Sequence, residues 1–211
     1  LLNIWEESNH LTKKVIKSRF FCSFSILFDK FRKKYYYFIM ENKNNFYEEI
    51  FALKNVIRRG WILRNVEGRL ESDAEHTMSM IFLAIFLMKK NDLKLDELKV
   101  IKMAAFHEFC EIDAGDITPV DHVDSKTKYE NELRAIERIS SEYDMPEIKE
   151  LWLEFEENKT PEAQFVKKLD KFDAVMQAKI YSEKGLAKPE VYDEFYQNSK
   201  KIADEMFSLK F

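Results

Sequence analysis

Few residues in this chain are equipped for chemistry, and they stand in a definite order. The only histidines are His10, His76, His107 and His122. His76 closes the acidic run Glu71-Ser72-Asp73-Ala74-Glu75-His76, and His107 sits within Ala105-Phe106-His107-Glu108-Phe109-Cys110-Glu111. A histidine and two carboxylates packed among Ala104, Ala105, Phe106 and Phe109 are costly to bury unless a metal or tight partners compensate them. On one helix, His107 and Glu111 are four apart and share a face, with Glu108 flanking them. Asp170 lies far downstream in Phe165-Val166-Lys167-Lys168-Leu169-Asp170-Lys171-Phe172, inside an otherwise inward-facing helical pattern. Imidazoles and carboxylates converging from three helices are the usual way a bundle builds a metal site. The zincin pattern is excluded, because Glu111 stands where that motif needs its second histidine. His122, in a loop beside Asp121 and Asp124, and His10 are given no role.

The elements that must position these groups read as helices throughout. The chain has 211 residues, 45% of them hydrophobic, with only Gly 4 and Pro 4. That length and apolar content can bury a real core, and scarce glycine and proline argue against a turn-dense β-sandwich. Phe46, Ile50, Leu53 and Ile57 make one apolar stripe at three- or four-residue spacing. Ala74 to Lys90 carries Met78, Ile81, Phe82, Ile85 and Phe86, a breadth of apolar surface that predicts a central helix. Asp96 is the expected N-cap of a helix from Glu97 to about Ile112, with Val100, Ile101, Ala104 and Ala105 facing inward. Ala114 to Pro119 is a break. Helices are then expected over Lys126 to Tyr143, from Pro146, from Thr160-Pro161 to about Lys184, and from Pro189 to about Met206, with Gly185 as a stop. The expectation is an all-α bundle of six or seven helices.

Charge and cysteine usage narrow the function classes. A net charge of −4 gives no reason to expect a nucleic-acid polymer as partner. Two cysteines, Cys22 and Cys110, cannot build a disulfide scaffold or a four-cysteine zinc site. Residues 1–40 differ from the rest: they hold eight Lys/Arg against three Asp/Glu, and ten of the aromatic residues. Their apolar run from Phe20 to Phe28 is too short to span a membrane and lacks a small-residue cleavage site. We read residues 1–40 as an appended leader, with Met40 as the start of a domain over 41–211.

His76, the His107–Glu108 doublet and Asp170, in that order on successive helices, resemble the H…HD…D signature of HD-domain phosphohydrolases. Gly60-Trp61-Ile62-Leu63-Arg64-Asn65, Glu71-Ser72, Ala74-Glu75-His76 and Glu111-Ile112-Asp113-Ala114-Gly115-Asp116 further resemble the 5′-deoxynucleotidase branch of that family. The resemblance covers about residues 45–185. It implies an HD-type helical fold and hydrolysis of deoxynucleoside 5′-monophosphates to nucleoside and phosphate. It also implies one divalent ion (Mn, Co, Fe or Zn) held by His76, His107, Glu108 and Asp170. Under the same resemblance Glu111 handles the proton of the attacking water, and Asp116 orients that water or the leaving oxygen. Arg64 clamps the phosphate, and Trp61 walls the sugar pocket. A cytoplasmic homodimer completes the expectation. The chain departs from the pattern at Glu108, where the family has aspartate: the carboxylate arrives about 1.5 Å further out.

Taken singly, several of these residues have plainer readings. Trp61 reads as a core residue, Arg64 as a surface arginine, and Asp116 as a turn residue. Glu71, Asp73 and Glu75 read as the solvated acidic start of a helix. A nucleotide-binding protein without activity, an HD phosphodiesterase acting on other nucleotides, and a helical interaction module using Lys126 to Arg138 stay open at this level.

Overall fold

The computed structural model describes residues 45–118 and 121–211; the leader and Pro119 lie outside them. The described residues form helices α1 (Phe46–Leu53), α2 (Arg59–Leu63), α3 (Asp73–Asn91), α4 (Glu97–Phe106) and α5 (Glu111–Ala114). These are followed by α6 (Ser125–Glu142), α7 (Pro146–Glu157), α8 (Pro161–Glu183), α9 (Pro189–Asn198) and α10 (Lys200–Phe207). Among the described residues the only β pairing is an isolated bridge between Ile57 and Ser72. The all-α expectation holds, with more and shorter segments than the six or seven helices expected. No described helix is long and apolar enough to cross a membrane.

The helix starts follow from local chemistry. Ser72 caps α3 through a capping box, accepting from the Glu75 amide while the Glu75 carboxylate accepts from Ser72 N–H at 3.0 Å. Asp96 and Thr160 cap α4 and α8 as expected, accepting from the amides of Lys99 and Ala163. Pro146, Pro161 and Pro189 occupy first-turn positions, where a missing N–H costs nothing.

Two segments differ from expectation. The helix from Glu97 ends at Phe106, and residues 107–110 pass through turns closed by Phe109 N–H to Phe106 O (3.1 Å) and Glu111 N–H to Glu108 O (3.0 Å). This i to i+3 tightening rotates Glu111 away from the His107 side, so the two do not share a face as one α-helix would place them. The final helix is likewise interrupted, at Ser199, between α9 and α10.

The main core lies where α3, α4, α7, α8 and α10 meet, with Met80, Leu87, Met103, Val166, Leu169, Phe172 and Met206 fully buried. Burying a leucine or phenylalanine of this kind contributes about 1.5–3 kcal/mol relative to exposure. A second cluster joins α6 and α7 through Ile136, Ile139, Ile148 and Trp152. A third joins Trp61, Val66, Ala178, Tyr181 and Val191. Helix α3 is central on one side only: Met80, Ala84 and Leu87 are buried, whereas Met78, Phe82, Ile85 and Phe86 are exposed. Arg138 of α6 ties α1 to α5, donating to both Glu49 oxygens (2.8 and 3.0 Å) and to both Asp113 oxygens (3.1 and 2.6 Å). The short helix that carries Glu111 is thereby held in place.

Candidate metal centre

His76 comes from the first turns of α3, His107 and Glu108 from the turns after α4, and Asp170 from the middle of α8. One ligand atom from each of these four lies within 4.8 Å of all the others. Both imidazoles are held by their Nδ1 atoms. His76 Nδ1–H donates to Asp173 Oδ2 at 2.7 Å, and His107 Nδ1–H donates to Ala104 O at 2.8 Å. Their Nε2 atoms are buried and make no hydrogen bond. They face the carboxylates instead: His76 Nε2 is 3.3 Å from Asp170 Oδ1 and 3.6 Å from Glu108 Oε1, and His107 Nε2 is 3.4 Å from Glu108 Oε1. Two orphaned imidazole nitrogens aimed at two carboxylates are a donor set that fits a divalent transition metal. The extra methylene of Glu108 is accommodated, since its Oε1 reaches both imidazoles.

The electrostatics fit the same reading. Burial and the nearby Arg58 oppose a charged His76 ring, but Asp170 and Asp173 outweigh them and raise it to about 9. The same two carboxylates would favour a cation bound at this ring. Burial works against an ionised Glu108, yet His107 and Arg58 hold it well below the usual carboxylate range. Asp170 is likewise held low against burial by Lys171, His76 and Arg58.

Beside this group lies a second one, with ligand atoms of Asp73, Glu111 and Asp116 also within 4.8 Å of one another. Asp73 is fully buried with neither carboxylate oxygen hydrogen-bonded, and Glu111 Oε2 is also unpartnered. Burial and the charge of Glu108 push Asp73 up to about 7. Burial, together with Glu108, Asp73 and Asp116, pushes Glu111 well above the carboxylate range. Asp116 is set by the turn at Gly115, whose φ of 71° favours glycine, and its Oδ2 accepts from Arg59 N–H at 2.7 Å. Glu71 and Asp73 are therefore not the solvated helix start expected; both are buried, and only Glu75 is partly exposed.

Arg58 joins the two groups. Its Nη1 lies 2.7 Å from Glu108 Oε1 and 3.8 Å from Asp73 Oδ1, and its Nη2 lies 3.9 Å from Asp170 Oδ1. Arg64 is engaged elsewhere: it donates to both oxygens of Glu194 at 3.1 and 2.5 Å and lies over the Phe195 ring, 4.6 Å from its centroid. Trp61 is 1% exposed, stacks on Phe195, and donates through Nε1–H to Glu71 Oε2 at 3.0 Å. It belongs to the third core cluster. The open recess beside Asp116, about 310 Å³, is lined by Ile57, Arg59, Ile62, Gly115, Ile117 and Asp121. His122 is exposed.

Sequence reading singled out neither Arg58, Asp73 nor Asp173 for the centre. Asp173 carried a signal, standing one helical turn beyond Asp170 and so on the same face. Arg58 and Arg59 are adjacent, and only the fold shows which of them turns inward.

Comparison with known proteins agrees with this geometry. The family model for the HD domain matches residues 50–210. The 5′-deoxynucleotidase HDDC2 of Mus musculus is 35% identical over 150 residues, covering 70% of this chain and 73% of that protein. The 5′-deoxynucleotidase hdd1 of Schizosaccharomyces pombe is 35% identical over 146 residues, covering 66% and 72%. Among solved structures, the PH0347 protein from Pyrococcus horikoshii superposes with a TM-score of 0.63 at 28% identity, covering 76% of this chain and 93% of that one. A predicted metal-dependent phosphohydrolase from Magnetospirillum magnetotacticum gives 0.59 at 26% identity, covering 77% and 86%. On the matched residues and the helical architecture that carries them, this chain belongs to the HD domain family.

Proposed function

We propose that this protein is a metal-dependent phosphohydrolase that cleaves deoxynucleoside 5′-monophosphates to nucleoside and phosphate. The observation that carries the reading is the convergence of His76, His107, Glu108 and Asp170 with two orphaned imidazole nitrogens. The similarity to the mouse and fission-yeast 5′-deoxynucleotidases supports the substrate class. His76, His107, Glu108 and Asp170 would hold a divalent ion, which would supply Lewis acidity toward water and the phosphoryl oxygens.

The chain's own residues do the rest. Arg58, with its guanidinium already over Glu108 and Asp170, binds the phosphate; Arg64, committed to Glu194, is freed of that role. Glu111 moves the proton at Oε2: buried against Asp73, the pair favours sharing one proton, so it can take a proton from water and return it to the leaving 5′-oxygen. Asp116, fixed by the Arg59 amide, orients the leaving group. The nucleoside takes the recess walled by Ile57 and Ile62, in place of the wall expected from Trp61. The enzyme acts as a homodimer in the cytoplasm, a reducing compartment in which the buried Cys110 thiol stays free.

The test is phosphate release from deoxy- and ribonucleoside 5′-monophosphates by chelator-treated protein with Mn, Co, Mg or Zn added back. Metal-dependent release favouring the deoxy series, abolished in His76→Ala and Asp170→Ala, is the expected result. Folded protein that binds a monophosphate and releases no phosphate with any metal would overturn the reading in favour of an inactive nucleotide binder.

A further inference from the structure

Helix α5 is a single turn, Glu111–Ala114, with little of its own to hold it. A turn this short lies far below the length at which a helix sustains itself, and Cys110 at its N-cap makes no side-chain cap hydrogen bond. Yet α5 carries Glu111, buried among the carboxyl groups of Asp73 and Asp116, with Oε2 unpartnered. Carboxyl groups crowded in this way repel wherever they ionise. Rotation of the turn about its own axis would swing Glu111 out of the group, so that rotation has to be fixed from outside.

The far side of the turn is where it is fixed. Two residues along a helix are about 200° of rotation, so Asp113 leaves α5 on the side away from Glu111. There it meets Arg138 of α6, whose Nε–H donates to Oδ2 at 2.6 Å and whose Nη2–H donates to Oδ1 at 3.1 Å. The other donors of the guanidinium are engaged as well. Nη1 donates to Glu49 Oε1 at 2.8 Å and to Glu142 Oε2 at 3.0 Å, and Nη2 also donates to Glu49 Oε2 at 3.0 Å. Each of the five N–H donors of the guanidinium thus has an acceptor. Glu49 is buried and takes a further bond from the Tyr143 hydroxyl at 3.1 Å. A lone exposed ion pair would fix little. A planar fork with every donor direction taken cannot turn, and it holds Asp113 through two parallel bonds.

We infer that Arg138 and Asp113 are positioning residues for the hydrolysis, acting through Glu111, a role that rests on the proton transfer proposed above and adds what keeps that carboxyl in place. Neither side chain belongs to the metal centre; the pair sets the rotation of α5 and so the aim of the group on its other side. The same helix α6 holds the chain beyond the turn, since Lys128 Nζ donates to Ile117 O at 3.1 Å, one residue past Asp116. The segment that handles the proton is therefore gripped by α6 on both sides of Gly115.

Replacing Arg138 would also leave the buried Glu49 without its cation. The informative variant is Asp113→Ala, which frees α5 and leaves the contacts of Arg138 with Glu49 and Glu142 intact.

The experiment compares the full chain, Asp113→Ala, Glu111→Gln and the double variant in steady-state phosphate release from a deoxynucleoside 5′-monophosphate with Mn. Amide hydrogen exchange over residues 107–118 is followed in chelator-treated wild type and Asp113→Ala. The expected result is a kcat about tenfold lower in Asp113→Ala with KM nearly unchanged, and faster exchange across residues 111–115 with that of α4 unchanged. In the Glu111→Gln background the same substitution should change kcat by less than about twofold, because the group it positions is gone. Wild-type kcat in Asp113→Ala, a loss confined to KM, or an equal loss in both backgrounds would overturn the positioning role while leaving the phosphohydrolase standing. A wild-type chain that releases no phosphate with any metal would overturn both.

Discussion

Asp173 and His76 meet through a single short contact, the His76 Nδ1–H donating to Asp173 Oδ2 at 2.7 Å. One turn earlier on the same helix, Asp170 Oδ1 lies 3.3 Å from the opposite nitrogen of the same ring. Helix α8 therefore grips both edges of an imidazole that α3 delivers. One carboxylate sets the tautomer and the plane of the ring, and the other faces the coordinating edge. An outer carboxylate of this kind orients a ligand histidine and raises its basicity.

Asp173→Ala should therefore weaken metal binding without removing a ligand. Affinity for Mn or Co, measured by competition with a chelating dye, is expected to fall about ten- to hundredfold, and Asp170→Ala is expected to lose more. Unchanged affinity in Asp173→Ala would remove Asp173 from the centre.

Arg58 compensates three carboxylates from one side chain. Removing one partner from a largely buried charge cluster leaves the others uncompensated, a cost of about 3–5 kcal/mol. Urea denaturation of chelator-treated Arg58→Ala should show a loss of that order, partly recovered when Mn is added. Arg64→Ala, which breaks a part-exposed pair with Glu194, should lose about 1 kcal/mol or less.

Asp73 gives a pH dependence with a definite sign. Its folded pKa, about 7, lies above its ordinary value of 3.8, so the native state holds a proton that the unfolded state has released between those values. The contribution to stability is complete below the lower value and is lost progressively up to the higher one. In metal-free protein Asp73→Asn should thus raise the melting temperature more at pH 8 than at pH 5. An equal gain at both pH values would show that crowding of charge is not what burdens the site.

The sequence alone was enough for the helical class and the order of the chemistry-bearing residues. Apolar positions recurring at three and four residues, few glycines and prolines, and caps at Asp96 and Thr160 are local signals, and they act within one or two turns of chain. His76, His107, Glu108 and Asp170 could be picked out because charged and ligating side chains inside apolar helical patterns need compensation wherever they end up.

What lay beyond local pattern was decided by packing. The residues 107–110 tighten into turns, and that rotation sends Glu111 to Asp73 and Asp116 instead of leaving it beside His107. Of the neighbouring arginines, Arg58 enters the centre while the Arg59 side chain pairs with Asp121. Trp61 is buried by Tyr181 and Phe195, residues more than a hundred positions away. Asp73 sits in an acidic run that reads as solvated, yet α3 turns it inward. A linear pattern records which side chains are apolar or charged; which face meets which neighbour depends on contacts between helices far apart in the chain, and those exist only once the bundle has closed.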